Sequence, residues 1–270
     1  MSPLLLGIVN ITEDSFSDGG RFLAPDAALA HARNLLSDGA DILDLGAASS
    51  NPEAKSVDPE VEIARLTPVV RAMKAEQRSL SIDSFSIPVQ RWAMREGVDY
   101  LNDIQGFPHG ELYPELAASR AKLIVMHSVQ GAGRATKIVV EPAKILNLVL
   151  KFFEARIAAL AKAGIASDRL ILDPGMGFFL GGDPEASFTM LRHLPFLKKA
   201  FGLPLLVSVS RKSFLRNLTG RPAQEAGAAG LAAELFAVDQ GADYVRTHAP
   251  GALRDALLVR KKLDEGGVVA

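Results

Sequence analysis

Short apolar runs recur along the chain, at residues 4–9, 42–45, 80–82, 100–101, 123–126, 170–172, 205–209 and 244–245. Most are too short for helices, and their unbroken apolarity suits a parallel sheet buried on both faces. Helical signals lie between them. Over residues 142–163, Leu146, Val149, Phe153, Ile157 and Leu160 fall at helical spacing, with Pro142 suited to the first turn and Gly164 to the C-terminal cap. Asp58-Pro59 opens another helix carrying Ile63, Leu66, Val70 and Met73 on one face, and Pro68 is expected to kink or shorten it. A joint recurs before three strands: Gly39-Ala40-Asp41-Ile42, Gly97-Val98-Asp99-Tyr100 and Gly241-Ala242-Asp243-Tyr244. Glycine ends a helix in a left-handed turn there, and the next apolar residue tucks under the strand. Repeated strand–helix units predict a single (β/α)8 TIM barrel over residues 1–270, with the active site at the C-terminal end of the strands. An open doubly wound sheet is the alternative.

Composition narrows the function. The chain has 270 residues, 30 Lys plus Arg against 31 Asp plus Glu, and a net charge of -1, which argues against nucleic acid as a partner. Without cysteine there are no disulfides, thiolate metal sites or thiol nucleophiles. No apolar run is long enough to span a membrane, and the N-terminal run has neither a basic flank nor a small-residue cleavage site. The expected location is the cytoplasm.

Nearly every expected strand ends in a polar residue: Asn10, Asp44, Asp83, Asn102 with Asp103, His127, Asp173, Ser210, and Arg246 with His248. One such residue is an ordinary turn former. Eight at the same end of eight strands predict one polar pocket above an apolar barrel core. Ser210-Arg211-Lys212-Ser213 before a helix is a candidate anion site, as is Arg246-Thr247-His248 after the last strand. In Asp173-Pro174-Gly175-Met176-Gly177-Phe178-Phe179 the glycines permit close backbone approach, and the phenylalanines could flank a flat ligand. The long first loop, 11–20, suits a lid. The other long loops are 46–57, 127–141 and 174–183.

In order, Gly7-Ile8-Val9-Asn10-Ile11-Thr12-Glu13-Asp14-Ser15-Phe16-Ser17-Asp18-Gly19-Gly20, Ser81-Ile82-Asp83-Ser84, Leu101-Asn102-Asp103-Ile104, Met126-His127, Asp173-Pro174-Gly175, Ser210-Arg211-Lys212-Ser213 and Arg246-Thr247-His248 resemble the motifs of the dihydropteroate synthase family. The likeness covers nearly the whole chain. It implies a reaction of folate biosynthesis, in which 6-hydroxymethyl-7,8-dihydropterin diphosphate and 4-aminobenzoate give 7,8-dihydropteroate and diphosphate, with Mg2+. It implies pterin contacts from Asp83, Asn102, Met126, Asp173, Phe178, Lys212 and Arg246. For 4-aminobenzoate it implies Phe16, Ser50, Pro52, Phe178, Phe179, Ser210 and Ser213. Asn10, Arg246 and His248 would hold the diphosphate, with Asn10 reaching the metal and Arg246 and His248 neutralising the leaving group. Asp18, Asp83, Asp173, Lys212 and Arg246 would form the catalytic set, with Asp18 facing the positive charge that develops on the pterin methylene. A homodimer packed through late barrel helices is also implied.

Two segments depart from the usual family pattern. The second loop reads Ser49-Ser50-Asn51-Pro52-Glu53, with asparagine where the family has arginine, and Phe178-Phe179-Leu180-Gly181-Gly182 lacks a lysine and is about two residues longer. These features resemble the mobile, plasmid-borne branch that confers sulfonamide resistance. An added phenylalanine, Phe178 or Phe179, could clash with the bulky sulfonamide substituent and still admit 4-aminobenzoate. A Schiff-base aldolase using Lys212, or a module that holds a pterin without joining it to anything, are the rival readings.

Overall fold

A computed structural model describes residues 2–12, 25–48, 56–130 and 138–265. Eight parallel strands, β1 (Leu4–Asn10), β2 (Ile42–Gly46), β3 (Leu80–Asp83), β4 (Tyr100–Asp103), β5 (Lys122–Met126), β6 (Leu170–Asp173), β7 (Leu206–Val207) and β8 (Tyr244–Thr247), pair in the order β6-β5-β4-β3-β2-β1-β8-β7. A parallel bridge between Leu172 and Leu205 joins the two edges and closes the barrel. Around it run α1 (Pro25–Ser37), α2 (Pro59–Ala75), α3 (Ile87–Glu96), α4 (Tyr113–Ala118), α5 (Ile145–Lys162), α6 (Pro184–Arg192), α7 (Leu194–Phe201), α8 (Ser213–Thr219), α9 (Gly227–Asp239) and α10 (Pro250–Glu265). This is the (β/α)8 barrel that the repeating pattern predicts, and the open sheet is excluded. Among the described residues no helix is long and apolar enough to cross a membrane.

The two-residue period of a strand builds the interior in layers. Leu6, Ile42, Tyr100, Ile124, Ile171, Leu206 and Tyr244 pack together as an apolar layer. Their strand neighbours Leu43, Leu101, Leu123, Val125, Leu170, Leu172, Leu205 and Val207 belong to the large core shared with the helices. Two residues beyond the apolar layer, the strands turn inward again as Asp44, Asn102, Met126, Asp173, Ser208 and Arg246. Asp83 joins this second layer as the register partner of Asn102. The barrel is thus dry at one end and polar at the other, because residue type changes at a fixed step along each strand.

The recurring joint has the expected geometry, with Gly39, Gly97 and Gly241 at φ of 95°, 68° and 93°. Its aspartate has a purpose that the sequence does not reveal. Asp41 accepts from the N–H of Leu5 at 2.7 Å, Asp99 from Leu80 at 2.9 Å and Asp243 from Leu205 at 2.8 Å. Each carboxylate satisfies an N–H at the start of the adjoining strand, so the joint seals the lower rim of the barrel.

Three boundaries differ from expectation. Helix α2 runs through Pro68 without ending. Helix α5 begins at Ile145, after a 3-10 turn at Pro142–Lys144. Strand β7 keeps only Leu206–Val207, because the chain turns where the N–H of Lys212 reaches back to the carbonyl of Val209 at 3.1 Å.

Candidate active site

The polar layer is organised by one guanidinium between two carboxylates. Arg246 Nε donates to Asp44 Oδ2 at 2.5 Å, and its Nη2 donates to Asp83 Oδ2 at 2.6 Å. Asp44 is fully buried, and the Asp83 side chain is 22% exposed. Both carboxylates therefore depend on Arg246 for compensation. Burial pushes Asp83 up to about 7; Arg246 opposes that rise and Asp44 reinforces it. Asp173 is also raised by burial, to about 6, although the N–H of Gly175 donates to its Oδ1 at 2.8 Å. Asp44 Oδ1, Asn102 Oδ1 and Ser208 Oγ are buried and have no hydrogen-bond partner. Buried polar atoms are normally paired, so this layer offers acceptors to a ligand that carries N–H donors.

Lys212 enters the layer from the turn after β7. Arg211 takes a left-handed conformation (φ 58°), unusual outside glycine. That reversal leaves Arg211 exposed and Lys212 half-buried. Burial and the nearby Arg246 lower Lys212 to about 8, while Asp173 and Asp83 oppose the shift. Its ammonium lies 5.1 Å from the centre of the Phe179 ring. The ring packs with Ile104 and Met126, and Phe85 and Phe178 lie against that group. These side chains form a flat apolar wall beside the carboxylates and Lys212. Gly175 and Gly177, at φ of 73° and 67°, carry the backbone behind it; a side chain at Gly175 would strike the carbonyl of His127. Ser213 begins α8, and its Oγ lies against Gly177.

At the rim, Asn10 ends β1 exposed. The Nδ1 of His248 lies 3.0 Å from Ser210 Oγ, which also accepts from the His248 N–H at 3.3 Å. With the serine hydroxyl donating to Nδ1, the ring proton sits on Nε2, which is then the donor. Burial and the cations Arg211, Arg246 and Lys212 hold His248 down to about 3. The imidazole is thus neutral at pH 7 in the ligand-free protein. Among the described residues no three His, Asp or Glu side chains cluster as a ready-made metal cage. One exposed amide oxygen on Asn10 fits the Mg2+ pattern of few protein ligands with substrate phosphates completing the shell.

Asp103 and His127 leave the pocket that the strand-end pattern predicts. Asp103 faces the helices, accepting from Gln105, Phe107 and Gln90. His127 Nδ1 meets the carbonyl of Pro174 at 3.2 Å, and its ring lies edge-on to Phe152. Both sit one residue beyond an inward-facing neighbour, so the alternation turns them outward. Phe16, Asp18, Ser50 and Pro52 lie outside the described residues. The structure adds Ile104 and Phe85 to the site, neither of which has a signature beyond apolarity, and it gives Asp44, expected in the pocket only as a polar strand end, its partner Arg246.

Residues 6–248 match the family described as pterin binding enzyme. The dihydropteroate synthase type-2 of Escherichia coli is 56% identical over 264 residues, 98% of this chain and 97% of that protein. The dihydropteroate synthase of Xanthomonas albilineans with 4-aminobenzoic acid superposes with a TM-score of 0.87 at 36% identity, covering 97% of this chain and 93% of that one. The same enzyme in complex with 7,8-dihydropteroate gives a TM-score of 0.85 at 34% identity, with 97% and 94% covered. With this likeness running the length of the barrel, the chain belongs to the pterin-binding enzyme family and, within it, to the dihydropteroate synthase transferases.

Proposed function

We propose that the chain, acting as one pterin-binding domain in the cytoplasm, joins 6-hydroxymethyl-7,8-dihydropterin diphosphate to 4-aminobenzoate, releasing diphosphate and 7,8-dihydropteroate. The observation that carries this reading is the convergence of Asp83, Asn102, Asp173, Lys212 and Arg246 beside the flat wall of Ile104, Met126 and Phe179. A pterin is planar, with an edge of ring N–H and amino donors next to a ring oxygen. The carboxylates and Asn102 Oδ1 accept from that edge, Lys212 donates to the oxygen, and the Arg246 guanidinium borders the ring. The amine nitrogen of 4-aminobenzoate forms a bond to the pterin methylene carbon as the bond from that carbon to the diphosphate oxygen breaks. The electron pair leaves with diphosphate, and the amine proton passes to diphosphate or water. Asn10 would hold Mg2+ through its amide oxygen, and the bound ion would neutralise charge on the leaving group. His248 Nε2–H donates to that group as a neutral hydrogen bond. Asp18 is assigned to the developing positive charge, and Phe16, Ser50 and Pro52 to the 4-aminobenzoate side, on their place in the first two loops. Ser210 and Ser213 offer hydroxyls to its carboxylate. Incubating the protein with both substrates and Mg2+ should yield dihydropteroate, with diphosphate in equal amount. Turnover of the pterin without joining the amine would defeat the reading, as would trapping of a borohydride-stable adduct on Lys212.

The same reading extends to sulfonamide insensitivity. Phe179 is buried under Lys212 in the inner wall, whereas Phe178 is half-buried. We therefore assign to Phe178, the more exposed ring of the two, the obstruction of a substituent reaching beyond the carboxylate. The type-2 relative belongs to a numbered series of dihydropteroate synthases, which agrees with a specialised variant. Phe178→Ala should lower a sulfonamide inhibition constant by about tenfold or more, while KM for 4-aminobenzoate moves far less, since removing a steric block costs the smaller substrate nothing. An unchanged inhibition constant would refute this role. A homodimer is proposed through α9 and α10, which expose Phe236, Leu258, Val259 and Leu263.

A further inference from the structure

We propose that Gln90 and Asp103 form a brace behind the strand ends and act as positioning residues for Asp83 and Asn102, an inference that rests on the assignment of those two side chains to the pterin. Gln90 lies on α3 and is 2% exposed. Its Nε2 donates to the carbonyl of Ser84 at 2.8 Å and to Asp103 Oδ2 at 3.0 Å. An amide nitrogen has two hydrogens, and both are used. A flipped amide would set its oxygen against a carbonyl and a carboxylate, so only one orientation is tenable.

The two anchors are the residues that follow Asp83 and Asn102 in sequence. Asp83 and Asn102 are register partners on β3 and β4, and the N–H of Ser84 donates to the carbonyl of Asn102 at 3.0 Å. The chain from Asp83 through Ser84, Gln90 and Asp103 to Asn102 is thereby closed into a ring of bonded residues. Asp103 is fully buried and also takes the N–H groups of Gln105 at 2.7 Å and Phe107 at 3.1 Å. The same carboxylate therefore fixes the turn that carries Ile104 of the apolar wall. A buried polar pair costs desolvation that an apolar pair would avoid. Its return here is directional. It fixes the backbone on either side of two groups that must meet a ring edge at hydrogen-bond distance, where small displacements cost rate heavily.

The test is steady-state kinetics with each substrate varied in turn, alongside thermal melting. Gln90→Met keeps the volume and removes both donors. It should raise KM for the pterin diphosphate about tenfold and leave KM for 4-aminobenzoate within about twofold. Gln90→Glu sets a carboxylate against the same two acceptors and should lower kcat/KM for the pterin further. Should either variant fail to fold, Asp103→Asn, which turns one acceptor into a donor, should show the same split. A wild-type protein that forms no dihydropteroate would overturn the functional reading itself. An active wild type whose variants keep both KM values, or lose only kcat with both KM values unchanged, would overturn the brace.

Discussion

Arg246→Met is expected to lower kcat/KM for the pterin diphosphate by about 10^3-fold or more, as removal of a preorganised charged group does in other polar sites. The same change should lower stability by about 3–5 kcal/mol at pH 8, the usual cost of stripping one partner from a buried ion pair. For a domain of this size that is a fall in Tm of about 6–15 °C. Both effects share a cause. Loss of the guanidinium leaves Asp44, fully buried, and Asp83 facing each other without the cation that bridges them, with only the charge of Lys212 nearby. The sign of the pH dependence follows. Burial and Asp44 already raise Asp83 above its ordinary value, and Arg246 is the group that opposes them. Without it, folding favours the protonated carboxyl more strongly than the unfolded chain does. The stability gap between wild type and variant should therefore narrow as pH falls from 8 to 5.5. Calorimetry at the two pH values measures the gap directly. A variant that melts like wild type at pH 8 would mean that the carboxylates do not depend on Arg246.

The barrel was legible in the sequence because its cause is periodic. Short apolar runs, glycine joints and polar strand ends repeat, and each repeat reports the same local geometry. The alternation along each strand was the part left unread. It separates Asp83, Asn102 and Asp173, which face inward, from Asp103 and His127, which face the helices although they too stand at strand ends. Composition does not distinguish these residues; parity against an inward neighbour such as Tyr100 or Ile124 does. The charge state of His248 was hidden for another reason. It depends on burial and on Arg211 and Lys212, which stand 37 and 36 residues earlier in the chain, as well as on Arg246 of the same motif. Asp44 was visible as a polar strand end, yet its meaning required Arg246, 202 residues away. The aspartates of the glycine joint show the reverse: a motif obvious in sequence whose purpose, capping the neighbouring strand, appears only when the strands are paired.

Lys212→Met should lower kcat/KM for the pterin by about 10^2- to 10^3-fold, the range for loss of one aimed donor, and should also reshape its pH profile. In the wild type the profile should be bell-shaped. Asp173, held near 6, and Asp83, held near 7, must be ionised to accept from the ring edge, so activity falls as pH drops through those values. Lys212, held near 8, must be protonated to donate, so activity falls again as pH rises past it. Methionine removes the alkaline limb. It also moves the acid limb to higher pH, because the lysine charge lowers both carboxyl groups and its loss lets burial act unopposed. Stability should respond in the opposite sense. The folded value of Lys212 lies below the ordinary 10.5, so burying the ammonium costs stability as pH falls through that window. The variant should then melt no lower than wild type at pH 7 while being nearly inactive, the pattern of a residue kept for chemistry and not for folding. Measuring kcat/KM from pH 5.5 to 9.5 with parallel melting curves separates the two roles. An alkaline limb near 8 that survives in Lys212→Met would assign that ionisation to another group and remove Lys212 from the pterin's oxygen edge.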